Sequence, residues 1–232
     1  MLKNLSISYQ NFVYLDQIDP TIIQNMIYYN SRNFVGKRIN GYKAPRAIMT
    51  HETALALKNI QQDLKKDNYS LVIYDAYRPV KAVQHFVDWS KDIADQKMKA
   101  HYYPYISKDE IFESGYIAAK SAHSRGSTVD LTIIELNKTL DTNPKSTLRT
   151  LKDSRLIPYY NDNTLDMYSS VDLMDKVSAH DSELIDEQYL QNRNYLRNKM
   201  KKYGFQEYAV EWWHYTLENE PHHDQYFDFN VE

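Results

Sequence analysis

Three stretches carry side chains whose types could do chemistry together. "SAHSRGSTVDLT", residues 121–132, sets His123 seven positions before Asp130, with a glycine between them and a β-branched run around the aspartate. "EWWH" places Glu211 and His214 three apart, and "YRP" puts Arg78 just after an apolar run. Two histidines and one carboxylate are the donor set of a catalytic zinc site that leaves a fourth position for water. A spare carboxylate such as Glu211 is the residue type that takes a proton from that water. A fixed guanidinium suits negative charge that develops during a reaction. The pattern predicts one zinc ion per chain, held by His123, Asp130 and His214.

The elements that must position these groups can be read from periodicity. Thr50 reads as the N-cap of a helix with Glu52 in its first turn and Leu57, Ile60 and Leu64 on one face. "SLVIY" from Ser70 to Tyr74 reads as a short buried strand. Pro79 then opens a helix expected to run to about Lys99, with Val80, Val83, Val87 and Ala94 on its apolar side. A second strand is expected over Thr128 to Ile134, a helix over Glu187 to Tyr203 ended by Gly204, and a strand over Val210 to Leu217. From Leu140 to Ser182 no period stands out, which reads as a long loop region with short turns and a candidate pocket wall. Helices and strands mix without strict alternation, so the class is α+β. One difficulty is local. Side chains three apart on a regular strand face opposite ways, so Glu211 and His214 need a bulge or strand end to meet.

Composition narrows the classes. A chain of 232 residues with 42% hydrophobic and 25% charged content fits one globular domain, 1–232. Net charge is −3 and no basic stripe stands out, which argues against nucleic acid. Cysteine is absent, so disulfides are excluded and a metal must use His, Asp or Glu. No stretch has the length and apolarity of a membrane span or a signal peptide. The expectation is a soluble cytoplasmic protein, or a periplasmic one if a leader was removed; oligomeric state is left open.

Taken together, "SAHSRGSTVDLT", "EWWHY" and "DAYRP" resemble the zinc D-alanyl-D-alanine dipeptidases, relatives of the D,D-carboxypeptidases and of hedgehog-like metallopeptidases. The likeness runs from about Tyr28 to the end and includes "NFVGKRINGY", "SGYIAAKSAHSRG", "VDLMD" and "YFDF". The resemblance implies a central, mainly antiparallel sheet flanked by helices and a small D,D-dipeptide substrate. It implies His123, Asp130 and His214 as zinc ligands, Glu211 as catalytic base and Arg78 as stabiliser of the tetrahedral intermediate. It further implies that Asp172 pairs with the substrate ammonium and that Ser121, Tyr28 and Tyr42 line the pocket.

Plainer readings stand beside these. Asp172 could be a solvated loop carboxylate, Arg78 a structural partner of Asp75, and Ser121 a turn cap. Tyr28 and Tyr42 are two among 21 tyrosines. His222 and His223 read as part of an exposed tail. Two other functions compete: a D,D-carboxypeptidase or cell-wall endopeptidase with an open cleft, and a zinc-stabilised binding module. Glu211 and Arg78 argue against the module, because structural zinc needs neither a base nor a cation.

Overall fold

The computed structural model describes Tyr9 and residues 11–232. Its strands are β1 (Phe12–Tyr14), β2 (Ile23–Gln24), β3 (Ile48–Thr50), β4 (Tyr69–Asp75), β5 (Thr128–Glu135), β6 (Ser146–Thr150), β7 (Leu156–Tyr160), β8 (Phe205–Tyr208) and β9 (Glu211–Leu217). Its helices are α1 (Leu15–Ile18), α2 (His51–Lys66), α3 (Val80–Lys91), α4 (Lys99–Tyr102) and α5 (Glu187–Lys202). Five strands form one sheet in the order β2-β4-β5-β9-β8. β2 runs parallel to β4 and the other three pairings are antiparallel, which makes the class α+β with a mainly antiparallel sheet, as expected.

Strand alternation sorts the core into two halves. Leu71, Ile73, Val129, Leu131 and Ile133 pack with Leu57, Ile60, Leu64, Leu196 and Met200 of α2 and α5. Val72, Tyr74 and Ile134 face the other way, into a cluster with Tyr28, Tyr42, Phe86 and Trp89. The same alternation sends Asp130 to the second side. Each fully buried aliphatic side chain stabilises the fold by roughly 1.5–3 kcal/mol. The sheet is therefore a rigid platform with apolar cover on both sides, and the polar groups are set into the second.

Three boundaries differ from the sequence reading. The helix expected to reach Lys99 stops at Lys91, because Lys108 Nζ donates to the carbonyls of Trp89 and Asp92 at 2.9 and 2.8 Å and closes its last turn. Within 140–182, β6 and β7 form a hairpin whose outer strand is mostly exposed, so it has no buried face to print a period. The C-terminal tail is anchored, not free: Phe229 and Val231 are buried, and the Val231 carbonyl accepts from Lys43 and Ala44. His222 stacks on Phe12, while His223 is exposed.

Candidate active site

Three elements bring the two histidines and the aspartate together. His123 sits on a 3-10 turn, Ala122–Arg125, whose start is capped by Ser121 Oγ accepting from the His123 N–H at 3.3 Å. Gly126 ends that turn at φ +88, and a Cβ there would stand 2.3 Å from Phe12 Cε1, so only glycine fits. Asp130 lies in β5 directly opposite His214 in β9, and opposed residues project to the same face. One donor atom from each of His123, Asp130 and His214 lies within 4.8 Å of the others.

This donor set fits a metal ion. His123 Nδ1 donates to the Ala76 carbonyl at 2.7 Å, which leaves Nε2 with its lone pair toward Asp130 and His214. Asp130 Oδ1 is buried and makes no well-directed hydrogen bond, with His214 Nδ1 3.1 Å away, a costly state for a carboxylate that a cation between the two would relieve. Burial pushes the Asp130 carboxyl up, but His123 and His214 beside it outweigh that and hold it far below the usual range. Burial likewise lowers His214, against the pull of Asp130. An ionised aspartate with a neutral histidine is the protonation state a metal needs.

The distortion expected at "EWWH" is present. β8 pairs with β9 in register from Phe205↔Leu217 to Glu207↔Tyr215, then jumps to Tyr208↔Glu211. The residues between are left unpaired with β8, and the kink turns Glu211 toward His214, with Glu211 Oε2 3.5 Å from His214 Nδ1. Trp213 packs into the apolar half of the core, and Trp212 reaches Ser169 Oγ through its indole N–H at 3.0 Å. Burial raises the Glu211 carboxyl well above its ordinary value, and the charges of Asp130 and Asp172 add to it while Arg78 opposes.

Arg78 is held between two carboxylates on the wall of the cleft. Its Nε donates to buried Asp75 at 2.9 Å and its Nη2 to Asp130 Oδ2 at 3.3 Å, with the guanidinium 5.0 Å from the Tyr28 ring centre. Tyr42 lies behind this group: its hydroxyl donates to Asp75 Oδ1 at 2.6 Å, and it is not among the residues that line the cleft. Tyr28 does line it, and donates to Asp172 Oδ2 at 2.8 Å. Asp172 is no solvated loop residue. It is 8% exposed, has φ +64, and is pushed up to about 7 by burial first and then by the charge of Asp130.

The cleft holds about 550 Å³ and has Tyr28, Arg78, Ser121, Asp130, Asp172, Glu211 and His214 on its walls. Four carboxyls, Asp75, Asp130, Asp172 and Glu211, face one guanidinium in and around it. Tyr116 and Tyr208 also line the cleft without any marking in the sequence, Tyr208 lying with its ring 5.3 Å from that of His214. Asp75, which holds Arg78 and Tyr42, could be found from its place at the end of a buried strand, three residues before the arginine. Among the described residues no helix is long and apolar enough to cross a membrane.

Comparison with known proteins agrees with this geometry. The chain matches the peptidase family described as D-ala-D-ala dipeptidase over residues 8–143 and 149–232. It is 37% identical over 221 residues to a D-alanyl-D-alanine dipeptidase of Streptomyces coelicolor, covering 95% of this chain and 98% of the relative. Proteins of the same name from Enterococcus faecium and Enterococcus faecalis are 36% and 37% identical, each over 95% of this chain and 98% of their own length. The chain belongs to the D-ala-D-ala dipeptidase family of peptidases.

Proposed function

We propose that this protein is a cytoplasmic hydrolase of the free D-alanyl-D-alanine dipeptide, one catalytic domain over 1–232 with one zinc ion held by His123, Asp130 and His214. The observation that carries the reading is the meeting of that donor set with Glu211 at 3.5 Å from His214 and with Arg78 at 3.3 Å from Asp130. When bound, zinc supplies Lewis acidity, bringing the pKa of water to about 7 and polarising a carbonyl oxygen. Glu211 accepts the proton of the attacking water and delivers it to the departing amine. Arg78, fixed by Asp75, faces the oxygen on which charge grows; one such donor is worth about 10²–10³ in rate. Asp172 receives the substrate ammonium, oriented by the Tyr28 hydroxyl. A substrate lacking that ammonium would leave Asp172 buried and unpaired, which is how the site would select length.

A substrate panel tests the reading. D-Ala-D-Ala should be cut, while N-acylated D-Ala-D-Ala and pentapeptide stems should not. The L,L dipeptide should be poor, since a carbonyl displaced by about 1 Å loses on the order of 10² in rate. Efficient release of D-Ala from the pentapeptide would instead support a carboxypeptidase. Metal analysis should find zinc at one per chain and its loss in His123→Ala.

A further inference from the structure

The loop that presents Asp172 is held partly by its own serines, Ser169 and Ser178, and partly by side chains from outside it. It runs from Asn161 to Ser182 without a regular strand or α-helix, and Asn163, Tyr168 and Asp172 all have positive φ. Left-handed backbone at non-glycine residues, and above all at a tyrosine, persists only where neighbours over-determine it. Several neighbours do this here: Arg149 holds Asp166 and the Tyr168 carbonyl, Asn192 the Asp166 carbonyl and Tyr28 the Asp172 carboxylate, while one side chain of α5 ties the two stems together.

Arg193 is 1% exposed and has no carboxylate partner among the described residues. Its guanidinium makes hydrogen bonds to the two stems of the loop. On the upstream stem Nε and Nη2 donate to the Met167 carbonyl at 3.0 and 2.6 Å, and Nη2 also to Ser169 Oγ at 3.3 Å. On the downstream stem Nη1 donates to the carbonyls of Val177 and Ala179 at 2.9 and 2.6 Å. A guanidinium has five N–H donors in a fixed fork, and here the fork spans the base of the loop at whose turn Asp172 sits. The same Ser169 Oγ accepts from the indole N–H of Trp212 at 3.0 Å, and Trp212 is the residue after Glu211. α5 is itself fixed on the core through Leu196 and Met200.

We infer that Arg193 is a positioning residue that sets the span between the ammonium partner Asp172 and the strand bearing Glu211 and His214, and so sets the length of peptide the site accepts. This rests on the reading of Asp172 as the ammonium partner. Burying a guanidinium without a counter-charge is expensive, and an apolar side chain would fill the space more stably. What an apolar side chain could not do is hold two chain segments at a defined separation through bonds to four acceptors. A dipeptide bridges two fixed points, its ammonium and its scissile carbonyl. A drift of the ammonium partner away from the strand weakens the hold on the free dipeptide while leaving the scissile carbonyl beside Glu211 and His214.

The test measures kcat and KM on D-Ala-D-Ala and on its N-acetyl form, for the zinc-loaded enzyme and for Arg193→Gln, Ser169→Ala, Asp172→Asn and the pairwise combinations with Asp172→Asn. Ser169→Ala removes the acceptor that Trp212 and Arg193 share while leaving the guanidinium its three carbonyl acceptors, and so remains informative if Arg193→Gln fails to fold. Expected are a rise in KM for the free dipeptide of roughly 10-fold, kcat within about 3-fold, unchanged metal content, and a fall of roughly 10-fold in the preference for free over acetylated substrate. Neither change should add to the effect of Asp172→Asn, because both act through that carboxylate. A preference left intact in Ser169→Ala, with only the melting temperature lowered, would overturn the inference and leave Arg193 a structural residue. If Asp172→Asn itself leaves the preference intact, the ammonium reading is what fails, and the inference falls with it.

Discussion

Replacing Tyr28 by phenylalanine isolates one hydrogen bond at the proposed ammonium site. The ring packs with centroids 5.1 Å from Phe86, 5.8 Å from Tyr42 and 5.9 Å from Phe34, and all of that survives in Tyr28→Phe. What is lost is the hydroxyl that donates to Asp172 Oδ2 at 2.8 Å. A hydrogen bond to a charged group contributes about 1.5–3 kcal/mol. It favours the ionised carboxylate, so its removal raises the pKa of Asp172 by roughly 1–2 units. Asp172 already stands at about 7 through burial and the charge of Asp130. The carboxylate must be ionised to meet an ammonium, so activity is present above its pKa and is lost as pH falls through it. At pH values well below both acid limbs the ratio of ionised shares approaches roughly 10- to 100-fold, and kcat/KM for the free dipeptide should fall by that factor there.

The assay is the pH profile of kcat/KM for both proteins on the free dipeptide and on its N-acetyl form. A cation at the histidine–aspartate cluster offsets Asp130 and draws the acid limb down in both, so the displacement between the two profiles is the measured quantity. Coincident acid limbs would refute the argument. So would an equal loss on both substrates, since the acetylated one has no ammonium to miss.

Glu211→Gln should keep one metal per chain and lose roughly 10³ or more in kcat; metal lost along with activity would place Glu211 among the ligands. Asp172→Asn should stabilise the metal-free protein at pH 8. The folded carboxyl at about 7 stands above its unfolded value, so the fold loses stability as pH rises through that window, by up to about 4 kcal/mol. Asparagine tolerates the positive φ, so urea unfolding of the two proteins at pH 8 and pH 4 should differ only at the higher pH. His180 is buried with both ring nitrogens unpartnered, and burial followed by Arg197 lowers it to about 4. Its stability contribution is present above the unfolded value and lost as pH falls toward 4, about 2 kcal/mol by pH 5. His180→Asn should remove that share from the metal-free protein's loss between pH 7.5 and 5, and an unchanged loss would count against it.

What the sequence discloses depends on where the cause of each feature lies. His123, Asp130, Glu211 and His214 are legible because their chemistry is local to two short stretches. The kink at Glu211 follows from the mismatch between a spacing of three and a strand period of two. The end of α3 is not legible, since its cause is an amine at Lys108, far along the chain from Trp89. Tyr42 shows the limit of reading by residue type. It belongs to the site's support, holding Asp75, and nothing in the sequence separates one tyrosine of the wall from one behind it. The tail was readable and easily missed, because Phe227, Phe229 and Val231 alternate with polar residues in the pattern of a half-buried extended segment. Arg193 is the opposite case. In a helix with Asn192, Asn194 and Arg197 it reads as one more solvated cation, and only the folded loop supplies its carbonyl partners.

These features share a physical arrangement. The face of the sheet that carries Asp130 concentrates costs: four carboxyls around one arginine, an oxygen on Asp130 without a well-directed hydrogen bond, and left-handed backbone at Asp172. The opposite face carries the compensating apolar packing of α2 and α5. A strained, charge-rich site can persist only if something rigid prevents its carboxylates from moving apart. Here that restraint passes through the sheet by the β5–β9 register, and around it by Arg193 and Trp212. Loosening either path would spoil the geometry the proposed reaction needs. An ion at the histidine–aspartate cluster and an ammonium at Asp172, as proposed, would offset the repulsion among these carboxyls and so stabilise the fold on binding.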